Sequence, residues 1–336
     1  MKPSELATIL EKTILTKQPL LISGPPGIGK TEIVEQVTAK LGHKLIPMIP
    51  SLSENVDYKG FPVYDVDNGA RFVPFDQLKL LIDADEPTVV FFDDLGQANT
   101  STQAACMNLF RGRMIGDQKI SDHITFIVAT NGATHHAGSI GILEPIKSRM
   151  ISIVELTPDI EDWVMWGLEH EIRPEVIAFI RFRGHEMLSN FNPTTALTNS
   201  PSPRAQEAIS NIINLEVTSE IEFEMISGAA GEAYAIEMRG FLALYRNLPD
   251  PDEILRNPHD IDIPENPMVI YAYCGALASM AEPDKMEAIV IFAKRLPIEF
   301  QIKLLQYDCK HTNKENHETA AYTDWAIENQ NMMVAV

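Results

Sequence analysis

The sequence predicts an α/β fold in which a doubly wound, five-stranded parallel sheet is followed by an all-helical second half. Two observations favour this fold. Between residues 20 and 155, short apolar runs alternate with helical patterns, as they do where crossover helices connect parallel strands. After Leu156, amphipathic patterns of helical period replace the strand-like runs. With 336 residues and 45% hydrophobic composition, the chain can bury one substantial α/β core and one or two helical modules besides.

The predicted strands are nearly continuous runs of Val, Ile, Leu and Phe. Strands that are covered on both faces have this composition, whereas half-exposed strands alternate apolar and polar residues. The runs are LLIS (Leu20 to Ser23), LIPMI (Leu45 to Ile49), TVVFF (Thr88 to Phe92), ITFIVAT (Ile124 to Thr130) and ISIVEL (Ile151 to Leu156). We therefore expect helices on both faces of the sheet.

Two β-hairpins are predicted to interrupt the alternation of strands and helices. The first spans residues 61–75, where Asp67-Asn68-Gly69 provides strong turn chemistry between two alternating flanks. The second spans residues 113–120, just before the fourth predicted strand. Both hairpins are therefore expected as inserts in a core domain that we place at residues 1–157.

The second half is predicted to be helical. Its clearest helical patterns cover residues 159–171, 174–188 and 203–215. A stretch punctuated by Pro and Asp at residues 248–267 marks a boundary. We accordingly predict a helical domain at residues 158–248 and a helical C-terminal extension at residues 249–336.

Net charge bears on the class of partner. The chain has 27 Lys and Arg against 47 Asp and Glu, which gives a formal net charge of -20. Binding to a nucleic-acid backbone depends on cations that displace counterions from the phosphates. The charge balance therefore argues against nucleic acid and favours a protein partner.

Cysteine usage and hydropathy indicate the compartment. Cys106, Cys274 and Cys309 are odd in number and widely separated, which fits reduced thiols better than a disulfide framework. The N-terminal residues lack an apolar core of signal-peptide length, and no later run approaches the roughly 20 apolar residues that a membrane span needs. We expect a soluble cytoplasmic protein with no membrane span.

Residues 24–31 read GPPGIGKT and match the phosphate-binding pattern G-x-x-x-x-G-K-[ST], after a strand and before a helix. Pro25 and Pro26 have no amide hydrogen, so N–H groups from Gly27 onward must hold the anion, at a helix N-terminus that favours negative charge. Lys30 is predicted to reach the β- and γ-phosphates of ATP, and the Thr31 hydroxyl is predicted to bind Mg²⁺. The predicted nucleotide-binding residues are Gly24, Gly27, Ile28, Gly29, Lys30 and Thr31.

Two carboxylates follow the third predicted strand in the segment TVVFFDDLGQ, residues 88–97. This is the arrangement of a Walker B motif, in which Asp93 would hold Mg²⁺ through water. Asp94 is then placed to orient the attacking water as a general base. The alternative interpretation is a strand that ends at solvent with two exposed acids.

Asn131 ends the fourth predicted strand, ITFIVAT, which we expect between the two strands that carry the preceding motifs. A polar side chain at that position can reach the γ-phosphate and the attacking water, and Asn131 is our choice for this sensor. The alternative is an ordinary turn residue before Gly132.

Two groups of residues suggest a metal site but do not predict one. They are His135-His136 and the C-terminal set Cys309, His311 and His317. Neither has a complete ligand set at an established spacing. We interpret both as loop residues.

The ordered segments GPPGIGKT, VVFFDD, VATN, LEPIKSRM and SPRA together resemble the AAA+ family of ATPases. SPRA and the two hairpins make the chain most similar to the MoxR-like group, over residues 3–240. The resemblance implies a P-loop NTPase αβα sandwich followed by an all-helical lid, with hairpins that face a central pore or a partner. Many members have Glu where this chain has Asp94, which is one methylene shorter and leaves the hydrolysis rate open.

The resemblance also implies roles for two arginines. LEPIKSRM is similar to the segment that carries the arginine finger, which would place Arg149 against the nucleotide of the next subunit. Lys147, Arg111 and Arg113 are rival candidates for the finger. Arg204 in SPRA corresponds to sensor 2, a lid arginine that contacts the γ-phosphate of its own subunit. The alternative for both arginines is an ordinary solvated cation near a helix end.

A finger that acts across subunits implies a ring, which is hexameric in this family. MoxR-like proteins often act with a protein that has a von Willebrand factor A domain. The resemblance therefore implies an ATP-hydrolysing chaperone or remodelling motor that acts on a protein. Two alternatives stay open, a slowly hydrolysing assembly switch and a DNA-handling AAA+ protein.

Overall fold

The computed structural model describes residues 1–65, 69–132, 141–192, 197, 199–248, 251–309 and 312–333. The chain forms two compact units. The first comprises residues 1–158 together with Phe191 and Asn192, and the second comprises residues 159–190 and the described residues from 197 onward. Whether the second unit is further divided near residue 249 stays a prediction.

The first unit is built on a parallel sheet, which confirms the predicted fold class. Its strands are β1 (Leu20–Ser23), β2 (Lys44–Met48), β5 (Thr88–Phe92), β8 (Ile124–Thr130) and β9 (Ser152–Glu155). They lie side by side in the order β2-β5-β8-β1-β9, and all neighbours are parallel. The strand that ends at Asn131 therefore lies between the strands that end at the P-loop and at the paired carboxylates, as predicted.

Helices cover the two faces of the central strands. The helices of this unit are α1 (Pro3–Leu15), α2 (Lys30–Lys40), α3 (Val56–Lys59), α4 (Asp76–Asp83), α5 (Thr100–Gly112) and α6 (Glu144–Lys147). Alternate residues of β8 enter different cores: Ile127 packs in the cluster with Leu6 and Val34, whereas Val128 packs in the cluster with Leu109. Every residue of β5 and β8 is buried, which explains their continuous apolar sequences.

The two edge strands, β2 and β9, depart from this expectation. In the run Leu45 to Ile49, Pro47 is exposed and Ile49 is 45% exposed. The run Ile151 to Leu156 was expected to be covered on both faces, but Ile151 and Ile153 are 55% and 51% exposed. The reason is position, because β2 and β9 are the edge strands of the described sheet and pair in it only with β5 and β1, respectively. An apolar strand sequence therefore indicates a strand here, but it does not indicate complete burial.

Both hairpin segments contain antiparallel strand pairs. In the first, β3 (Phe61–Asp65) pairs with β4 (Gly69–Val73). In the second, β6 (Met114–Ile115) pairs with β7 (Gln118–Lys119). Asp67 and Asn68 of the predicted turn lie outside the described residues. The first hairpin exposes the aromatic side chains of Phe61, Tyr64 and Phe72.

The described part of the second unit consists of helices and connecting segments, as predicted. They are α7 (Ile160–Glu169), α8 (Pro174–Arg183), α9 (His185–Leu188), α10 (Pro203–Ile213), α11 (Ser219–Ala230), α12 (Glu232–Tyr245), α13 (Pro251–Arg256), α14 (Pro267–Ser279), α15 (Met286–Ala293), α16 (Ile298–Gln301), a π-helix (Ile302–Cys309), a 3₁₀ helix (Lys314–Glu318) and α17 (Ala320–Met333). The predicted helix at 174–188 is divided, because Gly184 has a φ of 79° that interrupts α-helical geometry.

Helices from both sides of residue 249 contact each other within the second unit. Helix α14 packs closely against α8, where a Cβ at Gly275 would lie 3.0 Å from the Cβ of Ala178. Leu248 packs against both of the hydrophobic clusters of this unit. Across the residues that the structure describes, no helix combines the length and apolar character that crossing a membrane requires.

Candidate functional site

The loop after β1 has the backbone geometry that close approach to an anion requires. Gly27 and Gly29 have φ angles of 76° and 93°, a region that side chains other than glycine rarely enter. A Cβ at Gly24 would lie 2.7 Å from Ile28 Cδ1 and 2.8 Å from the carbonyl oxygen of Leu156. Ile28 is 4% exposed and fixes the loop to the core. The glycines are therefore needed for this loop conformation.

Helix α2 begins inside the loop, at Lys30, and its N-cap residue Gly29 supplies no side-chain hydrogen bond. The N–H groups of a first helical turn have no acceptors within the helix. They carry partial positive charge, which the helix dipole reinforces. The residues from Gly27 to Thr31 therefore fit a bound phosphate chain.

The Lys30 ammonium group lies at the centre of the site and is fixed by three acceptors. It donates hydrogen bonds of 2.9 Å to the carbonyl oxygens of Gly24 and Pro25 and to Asn131 Oδ1. The residue is only 7% exposed. These bonds hold the positive charge between the phosphate-binding loop and the end of β8, where it can attract a phosphate.

Thr31 and Asp93 provide oxygen ligands suited to Mg²⁺. The Thr31 hydroxyl donates to Asp93 Oδ2 at 2.8 Å. The other oxygen, Oδ1, accepts a 3.0 Å hydrogen bond from the backbone N–H of Asp94. Mg²⁺ favours oxygen ligands and usually retains several waters beside one or two protein ligands. The hydroxyl and carboxylate therefore fit this cation together with nucleotide phosphates.

Asn131 connects the lysine to the second carboxylate. Its Nδ2 donates to Asp94 Oδ1 at 3.1 Å, while its Oδ1 accepts from Lys30. Asn131 is 5% exposed, and Asp94 adopts a left-handed backbone conformation with φ of 52°. The structure thus brings Lys30, Thr31, Asp93, Asp94 and Asn131 into one hydrogen-bonded group, as their positions at the ends of adjacent strands led us to expect.

The candidates for the arginine finger differ in the contacts that their side chains make within their own subunit. Arg149 lies just after α6 and donates to the Pro145 carbonyl oxygen and, at 3.2 Å, to Ser148 Oγ. Arg113 donates to the carbonyl oxygens of Ser121 and Ile124 at 2.7 Å and 3.0 Å, and burial lowers the pKa of its guanidinium. Arg113 therefore has a structural role in its own subunit. Lys147 forms an ion pair with Glu144 at 2.8 Å, and Arg111 is exposed.

Arg204 lies in the second unit, in the first turn of α10, and is exposed. The Ser202 side chain caps this helix by accepting a 3.2 Å hydrogen bond from the N–H of Ala205. The predicted contact of Arg204 with a γ-phosphate stays a prediction.

The residues considered as metal ligands give no assembled site in the described part of the chain. No group of three or more His, Cys, Asp and Glu side chains is placed there to hold a metal ion. His135, His136 and His311 lie outside the described residues. Cys309 is buried. Burial also raises the pKa of the Cys106 thiol, which keeps this thiol protonated and unreactive.

Sequence reasoning missed Gln103 of α5, which is fully buried beside the site. Its Nε2 donates to the carbonyl oxygens of Ala98 and Gly141, and its Oε1 accepts from the N–H of Leu143. A signal for it was present, because Gln103 lies on the same buried face of α5 as Cys106. A polar residue on an apolar helix face indicates a buried hydrogen-bonding role.

The comparisons with known proteins agree with this geometry. Residues 20–141 match the ATPase family associated with various cellular activities (AAA). The match contains the phosphate-binding loop, both carboxylates and Asn131. The match lies within the first unit, which has the fold of a P-loop AAA+ protein. No curated protein matches the sequence.

Solved structures show similarity of fold at low sequence identity. The RuvB Holliday junction branch migration motor of Thermotoga maritima is 14% identical, covers 97% of this chain and 86% of its own, and has a TM-score of 0.36. NtrX of Brucella abortus in complex with ADP is 14% identical, covers 98% of this chain and 67% of its own, and has a TM-score of 0.41. At these identities and TM-scores, the substrate or partner of a similar structure is no evidence for the substrate or partner of this chain.

Proposed function

We propose that this chain is an ATP-binding and ATP-hydrolysing AAA+ ring protein, a MoxR-like chaperone or remodelling motor that acts on a protein partner. One observation carries the proposal. Lys30, Asn131 and Asp94 form a continuous hydrogen-bonded chain beside the Thr31 and Asp93 pair. This arrangement provides a cation for phosphate, oxygen ligands for a metal ion and a carboxylate for water.

ATP and Mg²⁺ would be held by residues of the first unit. The N–H groups from Gly27 to Thr31 and the Lys30 ammonium bind the phosphates, and the Thr31 hydroxyl and Asp93 bind Mg²⁺. The metal ion supplies charge neutralisation on the phosphates. Since Lys30 already has three acceptors, phosphate binding exchanges some of those hydrogen bonds for phosphate contacts.

Asp94 accepts a proton from, or orients, the attacking water in this proposal. Its Oδ1 already accepts from Asn131, so Asn131 holds the carboxylate in place. Because Asn131 also contacts Lys30, its position responds to the phosphate that Lys30 binds. This arrangement gives Asn131 the role of a sensor.

Arg149 completes the site of the next subunit in the proposed ring. Its position just after the short helix α6 and its partial exposure support this role, while the structural contacts of Arg113 argue against that rival. Arg204 would contact the γ-phosphate of its own subunit. A hexamer follows from the family resemblance.

A protein is the proposed substrate or adaptor. The formal net charge of -20 disfavours a nucleic-acid backbone, and the first hairpin exposes Phe61, Tyr64 and Phe72, which suit contact with another protein. An adaptor with a von Willebrand factor A domain is suggested by the resemblance. We place the protein in the cytoplasm, where three buried cysteines remain reduced.

A second candidate function is a nucleotide-dependent assembly switch that hydrolyses ATP slowly. It is favoured by Asp94, whose carboxylate extends one methylene less than that of Glu and is engaged by Asn131. In such a switch, bound ATP determines whether subunits assemble, and hydrolysis serves only to return the protein to the unassembled state.

Steady-state ATP hydrolysis by the wild type and by Asp94→Glu separates the motor from the switch. For the motor we expect wild-type turnover of about 1 s⁻¹ or faster. The Asp94→Glu variant should then hydrolyse ATP at the wild-type rate or more slowly, because Asn131 is already positioned to hydrogen-bond the shorter Asp side chain. Wild-type turnover below about 0.01 s⁻¹, raised more than about tenfold by Asp94→Glu, would instead establish the switch.

DNA handling, as by AAA+ loaders and helicases, is the third candidate, and the formal net charge of -20 argues against it. Binding to single- and double-stranded DNA at several salt concentrations decides it. We expect no salt-sensitive binding. Tight binding that weakens steeply with added salt would contradict the assignment of a protein partner.

A further inference from the structure

Gln103 links two segments that carry different parts of the proposed ATPase site. It is 0% exposed. Its Nε2 donates to the carbonyl oxygen of Ala98 at 3.1 Å and to that of Gly141 at 2.8 Å, and its Oε1 accepts from the N–H of Leu143 at 3.0 Å. Both amide hydrogens and the amide oxygen are thus used, which fixes the side chain in one orientation.

The first segment is the turn that follows Asp94. A 3₁₀ helix spans Leu95–Gln97, in which Gln97 donates to the carbonyl oxygen of Asp94 at 2.9 Å. Ala98 donates to the carbonyl oxygen of Leu95 at 3.1 Å and is 1% exposed. The carbonyl group that Gln103 binds is therefore joined to Asp94 by a short, hydrogen-bonded and buried path.

The second segment is helix α6, after which Arg149 follows. Leu143 is the N-cap of α6, and its carbonyl oxygen accepts from Ile146 at 2.9 Å. The N–H of Arg149 in turn donates to the carbonyl oxygen of Ile146 at 3.0 Å, and Ile146 is 0% exposed. The position of Leu143 therefore determines the position of the backbone that carries Arg149.

A backbone hydrogen bond reinforces the same connection. The N–H of Gly141 donates to the carbonyl oxygen of Gly96 at 3.2 Å, beside the Gln103 contacts with Ala98 and Gly141. The two segments are thus held at several points and must move together or break buried hydrogen bonds, which is costly.

We propose that Gln103 is a positioning residue that couples the nucleotide site of one subunit to the arginine finger that the same subunit presents to its neighbour. A shift of the turn after Asp94 moves Ala98, Gln103 transmits it to Leu143, and α6 carries it to Arg149. This inference rests on the proposed function, because it takes Arg149 to act on the nucleotide of the next subunit. A buried glutamine that only satisfies backbone groups is the alternative.

Two substitutions in the full-length protein test the role of the side chain. Gln103→Leu removes all three hydrogen bonds at similar volume, and Gln103→Glu keeps the acceptor for Leu143 but loses both donors. We expect the Kd and KM for ATP to change less than about twofold in both variants, because the phosphate-binding residues are untouched. We expect kcat to fall about tenfold to hundredfold, as small misplacements of catalytic groups do.

Gln206 offers a matched control. It is also 0% exposed, donates to the carbonyl oxygen of Met187 at 2.8 Å and accepts from the Tyr234 hydroxyl at 2.5 Å, within the second unit. We expect Gln206→Leu to lower the melting temperature much as Gln103→Leu does, with kcat per folded molecule unchanged. Equal loss of kcat in both variants overturns the proposal, since general destabilisation then explains it.

A double-variant cycle with Arg149→Ala separates coupling from a merely structural role. If Gln103 acts through Arg149, adding Gln103→Leu to Arg149→Ala changes kcat by less than about twofold. If the two losses of kcat multiply, Gln103 does not act through Arg149. This result contradicts the proposed coupling but leaves the role of Arg149 as the arginine finger intact. Unchanged kcat in Arg149→Ala alone overturns both the finger and the coupling.

Mixed rings assign the defect to the subunit that donates the finger. Lys30→Ala subunits cannot bind ATP but can donate Arg149, so mixing them with Arg149→Ala subunits should restore part of the ATP hydrolysis. We expect the restored ATP hydrolysis to be about tenfold to hundredfold lower when the donor is Lys30→Ala combined with Gln103→Leu. Equal restoration by the two donors overturns the proposal.

Discussion

Replacing Lys30 by alanine is expected to weaken ATP binding by about 10-fold to 100-fold. The ammonium is the positive charge that the structure places at the phosphate site, where it is buried and directed by the carbonyl oxygens of Gly24 and Pro25. A hydrogen bond to a charged group contributes about 1.5–3 kcal/mol, and about 1.4 kcal/mol corresponds to a tenfold change in affinity. Isothermal titration with ATP and Mg²⁺ measures the effect.

Lys40 provides the control for Lys30. It lies in the last turn of the same helix, α2, is exposed, and forms an ion pair with Glu11. Lys40→Ala removes the same charge from the same helix, and we expect its Kd for ATP to stay within about twofold of the wild type. Equal binding by the Lys30→Ala variant and the wild type would contradict the assigned phosphate site.

Replacing Asp94 by asparagine is expected to lower kcat for ATP hydrolysis by about 100-fold to 10,000-fold while ATP binding is retained. The substitution removes the carboxylate that we propose as the general base, and such groups contribute about that factor. The new amide keeps an oxygen that can accept from Asn131 Nδ2, so the hydrogen-bonded group around Lys30 should persist. Single-turnover hydrolysis and equilibrium binding, measured on one preparation, test both parts.

Asp85 is the matched control for Asp94, because it precedes β5 on the side opposite Asp94 and is exposed. Asp85→Asn makes the same change of charge, and we expect kcat to remain within about twofold of the wild type. If Asp94→Asn hydrolyses ATP as fast as Asp85→Asn, another group activates the water.

The parts of the fold that the sequence predicts well are the strands of the central sheet. Continuous apolar runs identify β5 and β8 to the residue, because these strands are buried on both faces. The same pattern misjudges the burial of β9, since the order of strands determines which strand lies at an edge. Edge position arises from long-range pairing that a local sequence pattern does not contain.

In the second half, the sequence predicts that helices form more reliably than it predicts where they are interrupted. Pro174 marks the start of α8, but the apolar pattern continues through Gly184 into α9. A glycine is tolerated within helices at modest cost, so the sequence alone does not reveal that Gly184 adopts a φ of 79°. The division of the helix depends on packing around that residue.

The residues of the proposed nucleotide site can be found from motifs because they follow adjacent parallel strands. Lys30, Asp93 and Asn131 come after β1, β5 and β8, and the ends of such strands meet at one edge of a sheet. The hydrogen bonds among these residues depend on rotamers, which the motifs do not specify. The position of Gln103 on the buried face of α5 indicates a hydrogen-bonding role, but the sequence does not identify its partners, which are backbone groups at Ala98, Gly141 and Leu143.

The most direct test of the account is ATP turnover per subunit across a dilution series, with assembly followed by light scattering. An ATPase whose site is completed by Arg149 of a neighbour should show turnover that rises as subunits assemble and then reaches a plateau. Arg149→Ala should assemble over the same range yet stay at least about 100-fold slower. Turnover that does not depend on assembly and is unchanged in Arg149→Ala would contradict a ring in which subunits complete each other's sites.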